Sequence, residues 1–287
     1  KTSLTEVNIH SYRILMIGMG IIYVIAFLSL FVQLKGLFFE TGIVPIKQIA
    51  SIMLNKYDVS LLSFPTIFIL NSSDMFITLI CCLGVVSALL LIAGIIPFLS
   101  ALLAWFFYLS FVIVGNVFLS FQWDVLLLEL GFLLIIMSPM TWRFKSQVNF
   151  SLPKWTVIAL RFLLFRLLFS SGLIKLYSGD LSWTTLTALE YHFWTQPLPH
   201  SLSYIADSLP NWILKCGVIY MFFVEIIVPF GLFGSKKIRK ISCYFIISLM
   251  VMIALTGNYG FFNLLVIVIA VACIPVNKKD PENQIIH

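Results

Sequence analysis

Residues 74–118 read DMFITLICCLGVVSALLLIAGI, then Ile96-Pro97, then FLSALLAWFFYLSFVIVGNVF. After Asp74 the stretch contains no charged side chain. A helix crossing the hydrocarbon core of a bilayer needs about 20 apolar residues. This stretch supplies two such lengths, and Ile96-Pro97 leaves no room for a loop between them. Two antiparallel membrane helices joined by a tight turn follow from it.

Reading outward gives eight crossings, at 13–34, 74–95, 97–118, 122–138, 155–177, 211–231, 241–256 and 260–275. Gly257-Asn258-Tyr259-Gly260 is a second short connection and pairs the last two. The first span exceeds a signal-peptide core and lacks a small-residue exit, so it reads as a retained helix. The chain is 61% hydrophobic and only 10% charged, against about 25% charged in a soluble domain. The expected fold is an all-α polytopic transmembrane helical bundle of about eight spans, a single domain over 1–287. The net charge of +6 does not point to nucleic acid, because the basic residues flank spans.

Those basic residues orient the bundle. Loop 139–154 holds Arg143, Lys145 and Lys154, and loop 232–240 holds Lys236, Lys237, Arg239 and Lys240, neither with an acid. Loop 178–210 holds Asp180, Glu190 and Asp207 without a Lys or Arg. The positive-inside rule makes the first two cytoplasmic and the third not. Alternation then predicts both termini in the cytoplasm. Segments 35–73 and 178–210 fall on the opposite side. Both are rich in aromatic and aliphatic residues, which suits amphipathic helices lying on that face.

A charge inside a bilayer costs upward of about 2.5 kcal/mol, so ionisable residues in spans mark structure-critical pairs or sites. Gln122, Trp123 and Asp124 lead the fourth span, and Lys175 ends the fifth on the same side. Asn258 sits in the last turn with Asn263 just beyond it. Asp180, Glu190, His192 and Gln196 lie in the loop above. Sidedness alone predicts that these form one polar cluster. Deeper in the bundle, Arg166 is expected to be neutralised by Glu129 or Glu225 as a buried charge network. Arg161, nearer the cytoplasmic end, is expected to extend to the interface.

Two chemistries are open for Lys175. It either reaches from a helix end to the headgroups, or is desolvated enough to act as a neutral base. Gly172, one turn earlier, permits a neighbouring helix to approach closely. No second His or Cys stands at metal-ligand spacing from His192, so no metal site is read. The five cysteines lie in or beside apolar runs without a Cys-x-x-Cys, as packed thiols do.

Several motifs resemble one family. They are Gly172-Leu-Ile-Lys175, Gly179-Asp180, Trp183, Leu186-Thr187 and Tyr191-His192 with Thr195-Gln196-Pro197. Gly42 to Pro45, Phe121-Gln-Trp-Asp124, Leu127-Leu-Glu129, Gly131-Phe-Leu133, Glu225 with Val228-Pro229-Phe230, and Gly257-Asn258 with Phe261 and Asn263 add to them. Together they resemble the lipase maturation factor family over nearly the whole chain. That family's membrane part is in turn similar to that of vitamin K-dependent gamma-carboxylase. There a Gly-x-x-Lys-Leu pattern, matched by Gly172, Lys175 and Leu176, carries the catalytic base. The chain departs from the family at Trp194, where an acid is common, and at Ser182, where a cysteine is often found. After Pro275 only a polar tail, 277–287, remains, so the family's soluble C-terminal domain is not expected in this chain.

The resemblance implies a membrane-embedded, chaperone-like maturation factor for exported proteins such as lipases, with its site on the non-cytoplasmic face. Its partners would be membrane lipids and an exported lipase or other secreted client, with no nucleic acid. It would reside in a bacterial inner membrane or the endoplasmic reticulum membrane, with any cofactor unassigned. The alternative class is a membrane enzyme using Lys175 as a base on a lipid-soluble or peptide substrate. A transporter is disfavoured, because no pair of Gly/Pro-broken spans marks an inverted repeat.

Overall fold

The computed structural model describes residues 9–57, 64–144, 153–196 and 199–275. Lys145, Pro197 and the tail 277–287 lie outside them. Each of the eight expected crossings is helical: α1 (Ile9–Leu37), α3 (Asp74–Ile92), α4 (Pro97–Gly115), α5 (Gln122–Met137), α6 (Lys154–Tyr177), α10 (Asn211–Phe222), α11 (Lys236–Thr256) and α12 (Phe262–Cys273). Segments 35–73 and 178–210 carry the short helices α2 (Ile46–Tyr57), α7 (Leu181–Thr184), α8 (Ala188–Thr195) and α9 (Ser201–Asp207). The chain is a polytopic helical membrane bundle. Six of its helices, counted among the described residues, are long and apolar enough to cross a membrane by themselves.

Local chemistry explains the hairpin that decides the fold. Ser73 caps α3 by accepting from the Phe76 N–H. Pro97 opens α4, where its missing N–H costs nothing. Ile96 just before it takes a left-handed φ of 43° to turn the chain back. Residues 142–144 then staple this turn. Ile96 N donates to the Trp142 carbonyl at 2.9 Å and Phe144 N to the Gly94 carbonyl at 2.8 Å.

The bundle has two distinct ends. One, the basic end, holds the 94–97 turn, Arg143 and the start of α11. The other, the loop-rich end, holds α7 to α9 and the 257–260 turn. Between them, α12 packs against α1, α5, α6 and α11 and buries Leu265, Val266, Ile269 and Ala270. The core is lined by Tyr12, Met19, Tyr23, Phe27, Tyr108 and Phe111, all essentially inaccessible. Apolar residues on the opposite helix faces, such as Leu28, Val32, Phe132 and Phe162, are exposed and suit lipid.

One span is irregular. After Phe222, α10 widens into a π turn at Phe223–Ile227 and then tightens into a 3-10 segment at Val228–Phe233. Pro229 supplies the cause. It has no N–H to offer the Glu225 carbonyl four residues earlier, so the regular ladder fails there.

Candidate functional site

The polar residues at the loop-rich end sort into three sets, each with its own partners. The first is built on the π turn. Lys175 Nζ donates to both Glu225 carboxylate oxygens at 2.7 Å and to the Ser171 carbonyl at 3.5 Å. It also lies 5.6 Å from the centre of the Trp183 ring. The Glu225 side chain is 6% exposed and that of Lys175 23%. Gly172 makes the approach possible. A Cβ there would fall 2.7 Å from Ile226 Cγ1 and 3.1 Å from Glu225 Cβ. Proline-forced widening of one helix and the absence of a side chain on the other thus bring the two charges together. An amine held by both carboxylate oxygens is a donor, and it offers a lone pair only if the pair opens.

This corrects the expected charge network. Arg166 does pair with Glu129, but on a half-exposed face of the bundle. Glu225 belongs to Lys175 instead. Arg161 also departs from expectation: it is 6% exposed, packed inside rather than extended to the interface.

The second set surrounds Asp124, which is buried at the start of α5. Its Oδ1 accepts from the Tyr108 hydroxyl at 2.5 Å, and its Oδ2 from the Phe121 N–H at 3.1 Å. It therefore caps its own helix and ties α5 to α4. Trp123 stacks on Phe121, with ring centres 4.6 Å apart. Gln122 is exposed.

The third set is a roof over the end of α11. The last carbonyls of a helix have no partners within it. Here they receive donors from the loop above. Gln196 Nε2 and Ser203 Oγ reach the Thr256 carbonyl at 3.3 and 2.8 Å. His200 Nε2 reaches the Ala254 carbonyl at 3.3 Å, while its Nδ1 accepts from the Leu202 N–H at 3.2 Å. His192 Nε2 meets the Tyr259 hydroxyl at 3.0 Å, with the two rings nearly parallel. Burial holds the His192 imidazole below its usual 6.5 and pushes the Tyr259 hydroxyl above 10.0. Asn258 accepts from the Gly260 N–H at 3.2 Å and shapes the turn itself.

The single cluster expected from sidedness is thus three adjoining constructions. No hydrogen bond or ion pair among the described residues links Lys175, Asp124 and Asn258 to one another. Asp180 caps α7 by accepting from the Ser182 N–H at 2.9 Å. With Ser182, Thr185, Thr187 and Tyr191 it borders an open hollow of about 420 Å³. Three acceptors at this end are buried without a donor among the described residues: Glu190 Oε1, Gln196 Oε1 and Asn263 Oδ1.

Sequence reasoning missed Tyr108, Tyr259 and His200 as partners, and Glu225 as the partner of Lys175. Only the last left a local signal, in the proline four residues after it.

The transmembrane domain of lipase maturation factors matches residues 11–279. Lipase maturation factor 2 of Xenopus laevis is 40% identical over 261 residues, covering 88% of this chain and 37% of that protein. The Homo sapiens protein of the same name is 36% identical over 274 residues, covering 89% and 38%. Lipase maturation factor 1 of Mus musculus is 33% identical over 269 residues, covering 91% and 47%. The chain therefore spans less than half the length of these relatives. No solved structure matches it.

Proposed function

Because the chain belongs to the lipase maturation factor family through its transmembrane domain, we propose that it is the membrane-embedded part of a chaperone-like maturation factor for exported lipases. The loop-rich end is the working face. The distribution of basic residues supports placing that end on the non-cytoplasmic side, where an exported client folds.

One observation carries the reading. Helices α8 and α9 are fixed from below by their bonds to α11, yet Tyr191, Trp194 and Tyr204 on them stand more than half exposed, as does Trp212 beside them. Exposed aromatics on a rigid support suit transient contact with apolar client surface. Trp194 is held in place by its indole N–H donating to Asp207 at 2.6 Å.

The test is complementation. Cells lacking their own maturation factor would express a secreted lipase with or without this chain. Higher specific activity of the secreted lipase is expected with it. Trp194→Ala combined with Tyr204→Ala should reduce that gain without lowering the amount of membrane protein. Equal lipase activity with and without the chain would refute the proposal.

A further inference from the structure

Two arginines meet at the basic end, with no acid beside them among the described residues. Arg161 lies in the second turn of α6 and Arg239 in the first turn of α11. They are 6% and 7% exposed. The Nε atoms of both are buried without a hydrogen-bond partner, and neither guanidinium has an ion pair among the described residues. Val157, Leu160, Ala272, Cys273 and Pro275 complete the walls of the small cavity they share, about 10 Å³.

Such an arrangement is costly as it stands. Guanidinium groups cannot shed their protons, so burial leaves two like charges facing each other. Arg161 could have lain along the interface, and Arg239 has exposed lysines on either side that do reach solvent. Both α6 and α11 also begin at this end, so their positive N-terminal ends add to the field. Each of these features favours a negative group in the cavity.

We propose that Arg161 and Arg239 form a binding site for an anionic phosphate group. The cavity admits about one water-sized sphere. It therefore takes a single phosphate oxygen, which lies between the two forks while the rest of the group stays outside. Guanidinium forks fit phosphate oxygens in charge and geometry. The phosphate belongs either to an anionic phospholipid in the adjoining leaflet or to a soluble phosphate, and basic pockets between membrane helices are known to take lipid headgroups.

The test uses the whole chain in detergent. Its thermal unfolding is followed with phosphatidylglycerol, with phosphatidylcholine, and with inorganic phosphate against chloride of equal ionic strength. Arg239→Gln and a Lys236→Gln/Lys237→Gln control are run beside it. The expected result is a rise in unfolding temperature with phosphatidylglycerol, phosphate or both. Arg239→Gln should lose that rise, with affinity roughly tenfold weaker or more, while the lysine control keeps most of it. A response to phosphatidylglycerol alone assigns the lipid headgroup, and an equal response to phosphate assigns the free anion. Should Arg239→Gln not fold, Arg239→Lys keeps the charge without the fork and is expected to show the weaker binding. Equal responses in the wild type and the arginine variants, or none in the wild type, would overturn the site. So would Arg239→Gln unfolding at a higher temperature in every condition, as expected if the two charges only repel.

Discussion

Lys175 Nζ sits 2.7 Å from both carboxylate oxygens of Glu225, fifty residues further along the chain. The contact ties the loop-rich end of α6 to the widened turn after α10. Removing one partner leaves the other charge buried alone, so Lys175→Met or Glu225→Gln should each cost roughly 3 kcal/mol. The double variant Lys175→Met/Glu225→Leu should recover much of that loss. Unfolding in detergent measures the stabilities. Lipase maturation by the double variant separates the two roles: it survives if the pair is structural and disappears if the lysine is a base.

Gly172→Ala should open the same contact from the other side. Its new methyl would meet Ile226 Cγ1, and overpacking of this kind costs about 1–3 kcal/mol. Adding Ile226→Ala removes the obstructing atom and should restore stability. A Gly172→Ala protein as stable as the wild type would show that the helices can separate freely there.

Tyr108→Phe should weaken the α4–α5 junction by about 1–3 kcal/mol, because a buried carboxylate loses a hydroxyl donor. Asp124→Asn, which keeps the shape and gives up the charge, should make the protein less sensitive to the loss of that hydroxyl. A double-mutant cycle read by thermal unfolding checks this. Additive effects would mean that the two side chains do not interact.

The docking of α8 on the last turn should depend on pH. The imidazole of His192 titrates below 6.5 in the folded chain because burial disfavours its charge. The unfolded segment binds the proton more readily, so the contribution is complete above about 6.5 and lost as the pH falls through the lowered value. Hydrogen-exchange protection over residues 188–196, corrected for the slower intrinsic exchange at lower pH, should therefore fall between pH 7.5 and 5.5. His192→Asn should flatten that dependence, and an unchanged slope in this variant would assign it to another group.

Most of the helical scaffold could be read from the sequence because long apolar runs and proline or glycine turns are local signals. The Ile96-Pro97 turn was foreseen in this way, while Glu129 was one of two partners expected for Arg166, and in a buried network rather than on a half-exposed face. The pairing of Glu225 was not foreseen, since it depends on a turn of helix that Pro229 forces out of register and on where Gly172 lets the helices touch. Arg161 was misread for a different reason. Its position near a span end permits an extended side chain, and only the packing of α6 against α11 and α12 determines that it points inward. The capping of Thr256 and Ala254 by Gln196, Ser203 and His200 joins segments that share no periodicity, so nothing in the sequence announces it.

The innermost helix is also one of the shortest. At twelve residues, α12 extends about 18 Å, well short of a hydrocarbon core near 30 Å. A helix this short leaves its ends within an apolar layer unless other segments supply partners there. The turn that leads into it has such a neighbour in α8, whose His192 meets the Tyr259 hydroxyl at 3.0 Å. Without α8 that end of the helix would lose a polar partner.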